Sequence, residues 1–214
     1  FRQKVNDLGL STWFHPSVEI QRNDSAIFDH LSAFSNADKA NIIQPGDLLH
    51  VDFGISYLRL NSDIQEHAYV LKLDEKDAPE YLKKGLQTAN RLQDILTSQF
   101  AENKTGNEIL KNALDQAKQE GIQATIYTHP IGFHGHAAGP TIGLWDQQNG
   151  VPGSGDFPMH FNTCYSIELN AAVNIKEWNK KVRFMLEQNG LFDKNGFHYL
   201  DGRQTTLHLI GRKD

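Results

Sequence analysis

HVDFGISYLRLNSDIQEH, residues 50–67, holds two aspartates eleven positions apart, Asp52 and Asp63. Leu48, Leu49 and Val51 lead into the first, and Ala68, Tyr69, Val70 and Leu71 follow the second. Both flanks read as strands, with Gly54 to Asn61 as a hairpin connection and Gly54 and Asn61 as its turn formers. Alternate residues of a strand face opposite sides of a sheet, so a paired hairpin brings both carboxylates to one face. Two carboxylates that close repel each other unless a cation lies between them.

Phe1 to Leu8 reads as the end of a helix stopped by Gly9. Trp13 to Gln21 reads as a strand, with Pro16 placing it at an edge or a bulge. Arg22 to Asn41 shows no period and reads as loop, and Pro45-Gly46-Asp47 is a turn. Ala78 to Phe100 carries one apolar stripe (Leu82, Leu86, Ala89, Leu92, Leu96, Phe100), which predicts a core-covering helix. Thr105 and Glu108 form a capping box for a second helix that ends at Gly121. Ile122 to Thr128 is a strand of β-branched residues. His129 to Asp156 is a glycine-rich loop, long enough to suggest a functional one. Cys164 to Ile175 and Lys181 to Asn189 are strands, Asn189-Gly190 and Lys194-Asn195-Gly196 are turns, and Phe197 to Ile210 holds short extended pieces. Strands, two helices and strands again make the class α+β with a largely antiparallel sheet. No linker divides the chain, so residues 1–214 are expected to form one catalytic domain.

The 214 residues carry 21 basic and 26 acidic side chains, a net charge of −5. No basic block tracks a phosphate backbone, so nucleic acid is not an expected partner. No run reaches the length of a membrane span, so no membrane is expected either. The chain opens on Phe1 without an initiator Met, which points to a processed or trimmed end and leaves the compartment open. The single cysteine, Cys164, excludes an intramolecular disulfide and a cysteine-rich zinc site. Any metal must be held by histidine and carboxylates.

Four further features join the aspartate pair. His129-Pro130-Ile131-Gly132 closes a strand and is followed by His136. Glu168 sits in the apolar run Tyr165-Ser166-Ile167-Glu168-Leu169. Glu187 ends another, Val182 to Leu186. Gly196 lies at a fixed distance beyond it. Each alone has an ordinary explanation as a turn, edge or surface residue. Together they place Asp, Asp, His, Glu and Glu at strand positions with no neighbouring base for the glutamates. Burying four carboxylates without cations is very unfavourable, and two divalent cations offset them.

This ordered set resembles the "pita-bread" metallopeptidases, the M24 family of methionine aminopeptidase, aminopeptidase P, prolidase and creatinase. Asp52 in GDLLHVDFG matches that family's GD-hydrophobic-DxG segment and Asp63 its SD segment. His129 matches the ligand histidine, His136 the later histidine of methionine aminopeptidases, Glu168 the TIEPG segment and Glu187 the last ligand. The resemblance covers roughly Trp13 to Ile210. It implies a curved antiparallel sheet covered by helices. It also implies two divalent metal ions (Mn, Co, Fe or Zn), with Asp52 and Asp63 on one, His129 and Glu168 on the other, and Asp63 and Glu187 bridging both. The implied activity is hydrolysis of a peptide with a free N-terminus by a metal-activated hydroxide, of the Xaa-Pro or general aminopeptidase type. Methionine aminopeptidase specificity is the alternative. His136 and, on position, His30 are the expected partners of the substrate carbonyl or oxyanion, and Glu168 the expected proton relay. A homodimer is compatible with the sequence.

The chain departs from the family pattern at several points. HPIG replaces HGIG, AAGP follows His136, ELN replaces EPG, and Gln65-Glu66-His67 replaces TRT. Met185-Leu186 stands where Xaa-Pro types often carry an Arg. These changes touch substrate binding more than metal binding. Two rivals share the fold: a creatinase-like hydrolase that needs no metal, and a binding module that holds a peptide without cutting it. Metal content separates the first and turnover the second.

Overall fold

The computed structural model describes residues 1–24 and 42–211. In chain order the elements are α1 (Arg2–Asp7), β1 (Ser11–Thr12), β2 (Ser17–Gln21), β3 (Leu48–Phe53), β4 (Ile55–Tyr57), β5 (Leu60–Asn61) and β6 (Ile64–Val70). Then come α2 (Glu80–Ser98), α3 (Gly106–Gln119), β7 (Gln123–Ile126), β8 (His129–Pro130), β9 (Thr163–Ile175), β10 (Lys180–Asp193), β11 (Gly196–Tyr199) and β12 (His208–Ile210). The main sheet runs β2-β3-β6-β10-β9-β7, with β11 on β10, β12 on β6 and β8 on β9. Among the described residues its pairings are antiparallel except β12 with β6. The α+β class and the antiparallel sheet are as the sequence predicts.

The sheet is strongly curved. β2 and β10 are three places apart, which in a flat sheet is about 14 Å. Yet the Gln21 side chain donates to the Arg183 carbonyl at 2.6 Å and accepts from the Arg183 N–H at 2.8 Å. Only a sheet that curls on itself lets an edge strand reach the backbone of the third strand over.

The two helices cover one side of this sheet. Leu82, Leu86, Ala89, Leu92, Ile95 and Leu96 of α2 are fully buried, in one core with Ile109, Leu110 and Ala113 of α3 and with Ile167, Leu169, Ala171, Phe184 and Leu186 of the central strands. The Thr105–Glu108 capping box is formed in both directions, satisfying N–H groups that the first turn of α3 leaves free. Gly85 of α2 lies flat on Phe184: a Cβ there would stand 2.1 Å from the ring. Alanine is the better helix former, by about 1 kcal/mol. Gly85→Ala is nevertheless expected to lower stability by about 1–3 kcal/mol, because the helix must lift off the sheet. A urea melt measures this; an unchanged midpoint would contradict the packing. Among the described residues no helix is long and apolar enough to cross a membrane.

Two turn expectations are corrected. The connection after Asp52 does not turn at Gly54 or Asn61. It forms the small hairpin β4–β5, whose two-residue loop is Leu58-Arg59, with φ of 48° and 68°. A two-residue loop of this kind needs left-handed backbone at both positions, here taken by non-glycine residues. Gly54 is needed for closeness instead: a Cβ would meet Trp13 Nε1 at 2.3 Å. Asn189-Gly190 is not a turn either. β10 runs through both to Asp193, and Gly190 makes room for the Phe197 ring of β11. The reversal falls at Lys194-Asn195, closed by Gly196 at φ 111°.

Candidate metal centre

Strand register assembles the site. Asp52 is paired with Gln65, Gln65 with Glu187, and Glu187 with Glu168. Directly paired residues share a face, so four strands present one row of polar side chains. Asp63 precedes Gln65 by two and Ser166 precedes Glu168 by two, which puts both on the same face one step along. His129 pairs with Ser166 and joins that second row. Four of the five expected ligands thus lie on strands, and Asp63 stands immediately before β6.

The polar contacts hold this set in place. Asn189 accepts from the Asp63 N–H at 3.1 Å and donates to the Asp63 carbonyl at 2.8 Å, fixing the aspartate's backbone to β10. Ser166 Oγ donates to Glu187 Oε1 at 2.6 Å. Gln65 Nε2 donates to Glu168 Oε1 at 2.8 Å and to Glu187 Oε2 at 2.9 Å. His129 Nδ1 donates to the Pro130 carbonyl at 3.0 Å, which leaves Nε2 as the bare lone pair of the ring. That nitrogen is 3.6 Å from Glu187 Oε1 and 3.9 Å from Asp63 Oδ2.

Among the described residues, the buried atoms Asp52 Oδ1, Asp63 Oδ1 and His129 Nε2 have no hydrogen-bond partner. All three are acceptors, and they converge. Ligand atoms of Asp52, Asp63 and Glu187 lie within 4.8 Å of one another, as do those of His129, Glu168 and Glu187, and those of Asp63, His129 and His136. Burial, then Glu187, Asp52 and Glu168, pushes the Asp63 carboxyl up to about 11. Burial followed by Glu187 raises Asp52 to about 7 and Glu168 well above the usual range. Carboxylates this crowded do not ionise together unaided, and unpartnered acceptors at their centre suit divalent cations. The oxygen-rich set with one imidazole suits hard or borderline ions.

His136 reaches the same place although its side chain is exposed. Its ring stacks edge-on against His129, centroids 4.4 Å apart, and lies 5.6 Å from Trp13. Gly135 makes this approach possible, because a Cβ there would be 2.3 Å from the Trp13 ring. Trp13 in turn donates to the Ser62 carbonyl at 2.8 Å, next to Asp63. His30 lies outside the described residues. Beside the row opens a cavity of about 440 Å³ lined in part by Asp52, Gln65, Glu168, Tyr127 and Arg183. Gln65, Ser166, Asn189 and Trp13 are site residues that the sequence does not assign to the metal centre, Gln65 being read there among changes that touch substrate binding, whereas it bonds Glu168 and Glu187. The signal for three of them was the two-residue spacing from Asp63, Glu168 and Glu187.

Residues 2–196 match the model of metallopeptidase family M24. The chain belongs to that family. No curated protein sequence matches it. The fold is similar to that of an X-Pro aminopeptidase from Thermotoga maritima, at TM-score 0.70 and 15% identity over 98% of this chain and 52% of that one. A methionine aminopeptidase from Thermotoga maritima superposes at 0.62, with 15% identity over 92% of this chain and 81% of that one. The N-terminal domain of the FACT complex subunit SPT16 from Cicer arietinum superposes at 0.66, with 12% identity over 96% and 49%. The chain spans about half the length of the first and third of these. The pita-bread fold expected from the M24 resemblance is the one observed.

Proposed function

We propose that this M24 chain carries the catalytic centre of a dinuclear-metal aminopeptidase of the Xaa-Pro or general type. The observation that carries the reading is the convergence of three unpartnered buried acceptors, on Asp52, Asp63 and His129, with Glu168 and Glu187 beside an open cavity. Asp52 would serve one ion, His129 and Glu168 the other, and Asp63 and Glu187 both. Two cations there would supply Lewis acidity toward a scissile carbonyl and would lower the pKa of a water.

The chain's own side chains do the rest. His136 stands edge-on to His129 with a ring nitrogen among the ligand atoms of Asp63 and His129, where a ring N–H can donate to a substrate carbonyl. Glu168, with its pKa raised by burial, is suited to take and return a proton beside the cavity. The cavity of about 440 Å³ falls in the usual range for a small-ligand site and suits a short peptide end. The substrate is a peptide with a free N-terminus.

Incubation with Mn²⁺ and a mixed peptide library, read by mass spectrometry, tests this. Loss of single N-terminal residues is expected, enriched where Pro is second. Enrichment of Met at the first position would make the specificity methionine-type. No cleavage with Mn²⁺, Co²⁺ or Zn²⁺ would overturn the peptidase reading in favour of a binding role.

A further inference from the structure

Gln65 is the one residue of the polar row that is neither acidic nor a candidate ligand, and it stands in its middle. Only the NH₂ end of its amide can face Glu168 and Glu187, and it bonds both, at 2.8 and 2.9 Å. The carbonyl end must therefore point away, and His50 Nε2 meets it at 2.9 Å. Since that oxygen only accepts, His50 Nε2 is the donor. Glu19 Oε2 holds the other ring nitrogen, Nδ1, at 2.9 Å. Glu19, His50, Gln65 and Glu187 are all buried. The line Glu19–His50–Gln65 thus runs from β2 through β3 and β6 and forks onto β10 and β9, across five neighbouring strands of the sheet. A threonine at position 65 has one hydroxyl on a short stem and could not bond both glutamates at once.

We infer that Gln65 is a positioning residue: its amide, oriented by the buried Glu19–His50 pair, holds the Glu168 and Glu187 carboxylates at one separation for ligation. The inference rests on the two-metal reading. A buried amide whose donors and acceptor are all engaged has one orientation, so the two glutamates are set before an ion arrives. Partners of this kind typically change metal affinity by about 10–100-fold.

The test uses the whole chain and Mn²⁺ alone, titrated calorimetrically, with Co²⁺ absorption spectra as a second readout. Gln65→Ala is expected to weaken binding of the ion held by Glu168 and Glu187 by about 10–100-fold and to shift the Co²⁺ bands. His50→Ala, which leaves Gln65 in place but frees its carbonyl end, is expected to act in the same direction. The loss in the double variant should be smaller than the product of the single losses, because His50 reaches the glutamates through Gln65. Should Gln65→Ala fail to fold, Gln65→Thr, which fits the space and cannot bridge, and His50→Ala decide the matter. A residue that merely supports the fold would lower the metal-free melting temperature and leave the Co²⁺ spectrum of the folded protein unchanged. That result, or unchanged affinity, overturns the inference, as does tighter binding in Gln65→Ala, which would mean that the amide competes with the ion. Independent, multiplicative losses would also overturn it. If the unaltered chain binds no metal, the two-metal reading falls and this inference with it; normal binding with indifferent variants overturns this inference alone.

Discussion

On the proposed two-metal peptidase reading, Asp63→Ala is expected to remove tight binding of the metal pair and to lower peptide hydrolysis by about 10²–10³-fold or more, the scale on which loss of one charge-organising group at a reacting centre is felt. Asp63 belongs to two of the three clusters whose ligand atoms lie within 4.8 Å of one another, so no neighbour replaces it. The same substitution should not destabilise the metal-free protein. Asp63 is buried among Glu187, Asp52 and Glu168, and its charged form is disfavoured there. Its backbone, tied to Asn189, remains bonded without the carboxylate. Metal content after dialysis, by elemental mass spectrometry, and a thermal melt in chelator separate the two effects. Unchanged metal content would remove Asp63 from the site, and a collapsed melt would make its role structural.

The second large effect is the pH dependence of stabilisation by metal. Folding raises Asp63 from 3.8 to about 11 and Asp52 from 3.8 to about 7. For a carboxyl raised in the folded state, the stabilising neutral form is fully present below the unfolded pKa, near 4. That stability is lost as pH rises, through about 7 for Asp52 and about 11 for Asp63. Each group costs up to about 1.4 kcal/mol per pH unit in its window. His67 works in the opposite sense. It is fully buried, donates to the Leu49 carbonyl and accepts from the Met185 N–H, and is lowered to about 3. Its stability is present above pH 6.5 and is lost as pH falls toward 3. The loaded and metal-free proteins share His67, so the difference between their melting temperatures cancels its effect and leaves that of the groups at the centre. With excess Mn²⁺ that difference is expected to widen by about 10–20 °C from pH 5 to pH 7, two carboxyls together costing the metal-free protein about 5 kcal/mol over that range. A difference that is flat or narrows over this range would contradict the crowding of Asp52 and Asp63.

Much of this architecture was legible in the residues alone. The stripe from Leu82 to Leu96 and the Thr105–Glu108 box predict α2 and α3, because helix period and capping are local physics. The acids Glu168 and Glu187 stand out because a charge inside an apolar strand demands a partner. What was misread is what depends on neighbours distant in sequence. Asn189-Gly190 has the composition of a turn, but the strand continues because Phe197 packs on the glycine and Asn189 is needed against Asp63. Leu58-Arg59 carries no turn signature and turns nonetheless, because β4 and β5 pair on either side of it.

The sequence by itself determined the kinds of groups present: four carboxylates and a histidine at spacings that strands can bring to one face, and helices able to cover the other. Period and composition act over a few residues, and that information is complete in the chain. Only the tertiary structure decided which groups meet. Register places Gln65 between Asp52 and Glu187, and the curl of the sheet carries β2 to β10. The long loop returns His136 to His129 over Gly135 and Trp13. Several of these contacts join residues more than a hundred positions apart, and strand pairing and ring packing, which set them, leave no local pattern to read.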